Sequence, residues 1–221
     1  MEYNYKIYPS LLDSYFRYLK SGDSLEHDVA KKELIDRINR VEISPLPQSI
    51  LIGKELQRIV SDFATKKGQG FNHQEYIMIE GKQVSVKLIR ELAQRIRGSL
   101  FDVYVEGDLE TKHGNVLLYG YADYVKLHTV IDLKYVQNYA IGKYYSYSQR
   151  LVYPYCLMKS HNHILYFEYL ATDLISIFPE TYVFNMEEQT KMLRNDVESF
   201  IDFLNENRSQ IKDKKIFGGE N

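Results

Sequence analysis

One cysteine, Cys156, stands among the 221 residues of the chain. That excludes an internal disulfide framework and any cysteine-only metal cluster held within one chain. No apolar run approaches the roughly 20 residues of a membrane span. The N-terminus, MEYNYKIYPSLL, lacks a basic stretch followed by an apolar one, so neither a membrane anchor nor a signal peptide is expected and a cytoplasmic location is. Positive charge is also scarce: 28 Lys and Arg against 30 Asp and Glu leave a formal net charge of −2. The chain as a whole is therefore no polyelectrolyte partner for nucleic acid, and phosphate contacts would need a local basic patch or a bound metal. There is no GxxxxGK[ST] phosphate loop, no internal repeat and no low-complexity linker. One domain over 1–221 is expected, and a hydrophobic content of 44% suits a globular core.

What the chain does have is a dense central stretch, Val116 to Tyr153, holding three short patterns in order. GYAD occupies 120 to 123, DLK 132 to 134 and QRLVY 149 to 153. The first two sit on β-branched and aromatic runs that read as adjacent strands joined by a tight connection around Lys126 to His128. Asp123 and Asp132 then fall near one another, with Lys134 on the same strand face as Asp132. Gln149 and Tyr153, spaced i and i+4, share one face of the helix that follows. Each pattern alone is weak, because a given residue pair at fixed spacing recurs roughly once per few hundred positions. Glu80-Gly-Lys82, Glu110-Thr-Lys112 and Asp213-Lys-Lys215 also satisfy (D/E)xK. Only Asp132 to Lys134 lies inside an apolar strand, follows an acid on a preceding strand and precedes a QxxxY.

That order, GxxD then (D/E)xK then QxxxY, resembles the PD-(D/E)XK nuclease superfamily, more narrowly its RecB-like and phage exonuclease branch. The resemblance implies an α/β fold of the α+β type, a mixed sheet flanked by helices with a restriction-endonuclease-like core. It implies a Mg²⁺- or Mn²⁺-dependent deoxyribonuclease, with Asp123, Asp132 and the backbone carbonyl of Leu133 as metal ligands. Lys134 would orient or deprotonate the attacking water or stabilise developing charge, and Gln149 and Tyr153 would hold the strand or the lysine. The activity implied is an exonuclease of phage or mobile-element recombination or repair; an endonuclease of the same superfamily is the neighbouring possibility. DNA is the implied partner. Unwinding would need a separate recombination or helicase partner, and a homo-oligomer is compatible. Some relatives carry a four-cysteine iron–sulfur cluster, which one cysteine cannot supply. The competing reading is an inactive nuclease fold serving as a nucleic-acid-binding or protein-interaction module.

The remaining elements frame this centre. Helices are expected from Pro9 to Gly22, from Ser24 to about Arg40 and from Ile50 to Phe63, making a helical N-terminal part over 1–66. In the resembled family the third helix often reads GxxxH near the metal; here Gly53 is followed by Gln57, which either holds a water or phosphate oxygen or is a surface glutamine. KKGQG at 66 to 70 reads as a polar loop. A core over 74–205 begins with a hairpin around Glu80-Gly81-Lys82 and a helix from Lys87 to Arg97, whose Lys87, Arg90, Gln94 and Arg97 form either a phosphate-facing stripe or a solvated face. Strands follow over Leu100–Leu109 and Val116–Val125 around a His113-Gly114-Asn115 turn. Glu106 on the first is either an accessory acid or a strand-edge carboxylate. The tyrosines from Tyr135 to Tyr155 suit base stacking or core packing. A kink or restart is expected at Pro154, two more strands over His163–Leu170 and Leu174–Phe184 with a break at Pro179, and a last helix capped by Asn185 with Glu188. Residues from 211 to 221 read as a loose tail.

Overall fold

Strand runs and helical runs alternate along the chain, and a layered α/β arrangement follows from that order. The computed structural model describes residues 3–22, 25–42, 44–65 and 74–218. Its elements are β1 (Tyr5–Ile7), α1 (Pro9–Lys20), α2 (Leu25–Ile38), α3 (Gln48–Ala64), β2 (Tyr76–Ile79), β3 (Lys82–Ser85), α4 (Val86–Ile96), β4 (Leu100–Thr111), β5 (Gly114–Lys126), β6 (Thr129–Tyr135), α5 (Gln149–Lys159), β7 (Tyr166–Thr172), β8 (Ile177–Val183) and α6 (Met186–Glu206). The expected start of the second helix at Ser24 and the loop at 66 to 70 lie outside the described residues. No described helix is long and apolar enough to cross a membrane.

Six strands form one mixed sheet centred on β5, while β2 and β3 make a separate hairpin. Along one edge β5 pairs antiparallel with β4 over almost its whole length. Along the other it pairs in parallel with β1 at Val116 to Leu118 and antiparallel with β6 at Tyr124 to Lys126. Residues 119 to 123 of β5 therefore have no strand on that edge. Beyond β6 come β7, parallel to it, and β8, antiparallel at the sheet's margin.

Two cores cover the sheet. Burial on one face joins Leu11, Leu12 and Tyr15 of α1 with Val152, Cys156 and Leu157 of α5 and Val197, Phe200, Ile201 and Leu204 of α6. On the other, Ile52, Leu56 and Val60 of α3 meet Ile89, Leu92 and Ile96 of α4 over Ile131, Leu133 and Leu170. Because side chains alternate along a strand, Ile131 and Leu133 enter the second core while Val130, Asp132 and Lys134 face α5. The β4–β5 ladder carries a fault: Asp102, opposite Asp123, forms no bridge with it and has a left-handed φ of 48°. Val103 and Ala122 on one side of this pair pack in the first core, whereas Phe101 and Tyr124 on the other side pack in the second. The side-chain alternation switches at Asp102 and Asp123.

Several expectations change for physical reasons. The β4–β5 hairpin extends to Thr111 opposite Gly114, so its turn is Lys112-His113 rather than His113-Gly114-Asn115. Pro154 does not restart a helix, since α5 runs unbroken from Gln149 to Lys159 with its apolar residues clamped on the sheet. Pro179 does not break β8. Only β7 pairs with that strand, so the missing N–H is tolerated at an edge. The strand expected over His163–Leu170 is shifted to Tyr166–Thr172. Residues 211 to 218 are not loose: Ile211, Ile216 and Phe217 are buried, and Phe217 packs edge-on against Tyr5. On α2, Ala30, Leu34, Ile35 and Ile38 are buried and Val29 is exposed.

The rival (D/E)xK patterns each have a local role. Glu80 and Gly81, with φ of 45° and 79°, make the tight turn between β2 and β3. Lys112 pairs with Asp202 of α6, and Asp213 pairs with Arg40 and caps a short 3₁₀ turn.

Candidate functional site

The three motifs converge where β5 is unpaired. Asp123 Oδ2 accepts a hydrogen bond from the backbone N–H of Leu133 at 3.0 Å, which ties the end of β5 to β6. Asp132, 1% exposed, takes two partners. Gln149 Nε2 donates to its Oδ1 at 2.8 Å, and Lys134 Nζ lies 2.7 Å from its Oδ2. Beyond that ion pair Oδ2 has no hydrogen-bond partner. Leu133 meets Asp123 through its nitrogen, so its peptide belongs to the same cluster.

Gly120 and Tyr153 are mechanically linked. A Cβ at position 120 would lie 2.8 Å from Tyr153 Cε1, 3.4 Å from its hydroxyl and 3.5 Å from Pro9 Cδ. The glycine of GxxD is thus the seat for the tyrosine of QxxxY, and α1 closes over both. One helical turn before Tyr153, Gln149 opens α5, and its amide pulls the Tyr153 phenol downward. Burial nevertheless pushes that phenol up to about 12.

The electrostatics are dominated by crowded acids. Burial first, then the charge on Asp132, pushes the Asp123 carboxyl up to about 7, with Asp102 adding to the effect. Burial also raises Asp132, against the pull of Lys134 and Gln149. Burial alone would lower the Lys134 ammonium, but Asp132 and Asp123 outweigh it and leave it raised. Lys134 is protonated at neutral pH.

Two further acids that sequence reasoning missed belong here. Asp102 faces Asp123 across the faulted ladder, and Gln57 Nε2 lies 3.5 Å from its Oδ1. Asp13 of α1 accepts from the N–H of Ser148 at 2.7 Å, holding the entry to α5 immediately before Gln149. Burial raises Asp13, with Lys134 and Asp132 both within electrostatic reach. Asp102 had a findable signal, an acid near the start of a strand antiparallel to the GYAD strand; Asp13 had none, lying 135 residues from its partner. Tyr169, paired with Asp132 in the ladder, has a buried hydroxyl without a hydrogen-bond partner.

Other expected residues fall elsewhere. Glu106 accepts the Tyr104 hydroxyl at 2.9 Å and lies opposite Tyr119, four residues along β4 from Asp102. Gln57 reaches Asp102 rather than the Asp123–Asp132 pair. Lys87, Arg90, Gln94 and Arg97 are exposed on α4, which covers the opposite face of the sheet. The tyrosines after β6 mostly pack inward. Tyr144 stacks on Tyr169, Arg150 is buried against Tyr145 and Tyr182, and Glu180 accepts from Tyr139, Tyr182 and the N–H of Gly142.

Beside the cluster opens a groove of about 440 Å³ lined by Tyr8, Pro9, Ser10, Arg40, Tyr119, Gly120, Tyr121, Gln149 and Tyr153. Among the described residues, no three His, Cys, Asp or Glu side chains cluster as a metal site.

No protein-family model matches the chain, and no curated protein sequence matches it. Among solved structures it is similar to SSO0001 at 10% sequence identity over 77% of this chain and 86% of that one, with a TM-score of 0.34. A superposition that loose carries no argument about family or activity.

Proposed function

We propose that the chain is a divalent-metal-dependent nuclease that hydrolyses DNA phosphodiester bonds, with a restriction-endonuclease-like core formed by β5, β6 and α5. An exonuclease of phage or mobile-element recombination or repair is the form we favour. One observation carries this reading. Buried Asp132 is held simultaneously by Gln149 and Lys134, while Asp123 is tied to the Leu133 peptide beside it. Three separate motifs thereby become one cluster.

The donors suit a hard cation. Mg²⁺ commonly uses one or two carboxylates and completes its shell with waters and substrate phosphate. Asp123, Asp132 and the Leu133 carbonyl would hold it, and the buried Asp132 Oδ2, which has Lys134 as its one partner, keeps lone-pair capacity that a cation would use. When bound, the metal would polarise the phosphate and lower the pKa of a water. Lys134 stands 2.7 Å from Asp132 Oδ2, beside the oxygens that would hold the metal. Its ammonium would orient the attacking water and stabilise charge developing on the phosphate oxygens. Gln149 keeps Asp132 aimed, and Tyr153 sets the position of that turn of helix.

A second reading has its own support. Lys134 already neutralises Asp132, and only two acids are tied directly into the β5–β6 junction, so the fold could bind nucleic acid or protein without cutting. Incubating linear, nicked and closed circular DNA with Mg²⁺ or Mn²⁺ decides between them, with Lys134→Ala and Asp132→Asn in parallel. Consumption of linear DNA alone, reduced about 10²- to 10⁴-fold in folded variants, fits the exonuclease. Cleavage of circles makes it an endonuclease. No cleavage of any DNA or RNA by the folded protein leaves the binding module.

A further inference from the structure

Large aromatic rings are exposed on the rim of the groove at Tyr121 and beside it at Tyr104. Tyr104 and Tyr121 are 48% and 63% exposed, far more than rings filling a core. They sit on neighbouring strands opposite one another, ring centroids 5.3 Å apart. A second pair, Tyr8 and Tyr119, has centroids 5.7 Å apart, and Tyr119 lies two residues from Tyr121 on the same strand. Tyr8, Tyr119 and Tyr121 line the groove together with Gly120, Gln149 and Tyr153. The tyrosine face is therefore continuous with the residues that hold Asp132.

Charge on this face is unsuited to a duplex backbone. Among the described residues, Arg40 is the one cation of the groove lining, and Asp213 already pairs with it. Glu106 stands beside Tyr104 and accepts its hydroxyl. A double helix presents paired phosphate rows and hides its base faces, so neither its charge nor its stacking surface would be met here. An unpaired strand offers its bases, and every base has a π-face that a tyrosine can stack on.

From this continuity and this charge balance, we infer that the Tyr8, Tyr119, Tyr121 and Tyr104 face holds an unpaired nucleic-acid strand by base stacking and leads it to Asp123 and Asp132. The inference rests on the nuclease reading for its destination, but it makes a separate demand on binding. Affinity comes from bases rather than phosphates. With about one or two phosphates neutralised, the slope of log affinity against log salt is about −0.7 to −1.4.

The test is fluorescence anisotropy with labelled oligo-dT and an abasic oligonucleotide of the same length, in Ca²⁺ across a salt series. Oligo-dT is expected to bind at least about tenfold more tightly than the abasic strand, and Tyr121→Ala and Tyr104→Ala each to lose about tenfold, the scale of one lost base stack. Both side chains are exposed, so thermal melting should stay at the wild-type value. Tyr121→Trp should restore or exceed wild-type binding, which damage to the fold would not allow. Equal binding of the two strands, or alanine variants binding like wild type, overturns the inference. So does a change from dimer to monomer in the alanine variants without a change in binding, since a second copy would then cover the face. Base-dependent binding without cleavage in Mg²⁺ or Mn²⁺ would sink the nuclease reading and leave this face standing; cleavage without base-dependent binding would do the reverse.

Discussion

An alanine at position 120 tests whether the GxxD and QxxxY motifs are one mechanical unit. The added Cβ would lie 2.8 Å from Tyr153 Cε1, where ordinary contact begins at 3.4 Å, so the ring must retreat by about 0.6 Å (3.4 − 2.8) to restore it. Tyr153 is buried, and Pro9 Cδ waits 3.5 Å from the same methyl, so the new group cannot slide the other way. Overpacking of this kind costs about 1–3 kcal/mol. Replacing a glycine returns about 0.4–1 kcal/mol through the unfolded chain, leaving a net loss of about 1–2 kcal/mol. For a chain of this size that lowers Tm by about 2–8 °C. On the nuclease proposal, cleavage should fall further than stability, because moving Tyr153 moves Gln149 one turn away and loosens Asp132. Tyr153→Leu removes the clashing atom, so Gly120→Ala in that background should cost about 1–2 kcal/mol less than in wild type. Urea denaturation of the four proteins measures this coupling. If the two substitutions add to within about 0.5 kcal/mol, or if Gly120→Ala melts at or above wild type, the seat argument is wrong.

Three other perturbations probe the charge cluster. Lys134→Met strands two carboxylates; breaking a buried pair costs about 3–5 kcal/mol. We discount that to roughly 2–3 kcal/mol because the Lys134 side chain is 26% exposed, and adding Asp132→Asn should recover most of the loss in urea denaturation. In metal-free protein the Asp123 carboxyl titrates at about 7 when folded against 3.8 as its ordinary value, so the folded state binds the extra proton between them. Unfolding free energy should therefore fall as pH rises from about 4 to 7, and cation affinity should strengthen through 7. Asp13 and Asp132 shift in the same direction, and a pH slope not reduced by Asp123→Asn would count against the assignment. Asp13→Ala removes the acceptor for Ser148 N–H and should destabilise by about 1 kcal/mol with faster amide exchange in the first turn of α5. Asp13→Asn, which keeps an acceptor, should behave nearly as wild type.

Legibility in the sequence followed the range of the interactions. Helix and strand runs were readable because their apolar periods are local, and the capping of α6 by Asn185 is a three-residue event. Asp123, Asp132, Lys134 and Gln149 were readable together because adjacent strands and the next helix deliver them. What failed depended on context. Pro179 is harmless only because β8 is an edge, and residues 211 to 218 are held by distant partners, among them Tyr5 against Phe217 and Asn39 accepting from the N–H of Lys212. Asp13 reaches its partner across most of the fold, a distance no local pattern encodes. For Asp102 the position opposite the GYAD strand was readable, but its side-chain direction, set by a left-handed φ, was not.

The placement of that fault bears on function. A regular β4–β5 ladder would continue the alternation past Ala122 and carry Tyr124 to the α5 side of the sheet. Switching at Asp102 and Asp123 instead sends Phe101 and Tyr124 into the second core, where Tyr124 is fully buried and its hydroxyl meets Ser61 of α3 at 3.1 Å. The fault thus turns Tyr124 into the second core while Val116, Leu118, Ala122 and Val125 stay in the first, and leaves Asp123 at the crossover, where it takes the Leu133 amide. Acids gathered there outnumber cations: Asp13, Asp123 and Asp132 are all raised by burial, with Lys134 as the ammonium they share. Such an excess of buried negative charge lowers stability by itself. Two apolar cores tolerate it, and a bound cation would relieve it, which is the arrangement expected when the chemistry rather than the fold requires the acids.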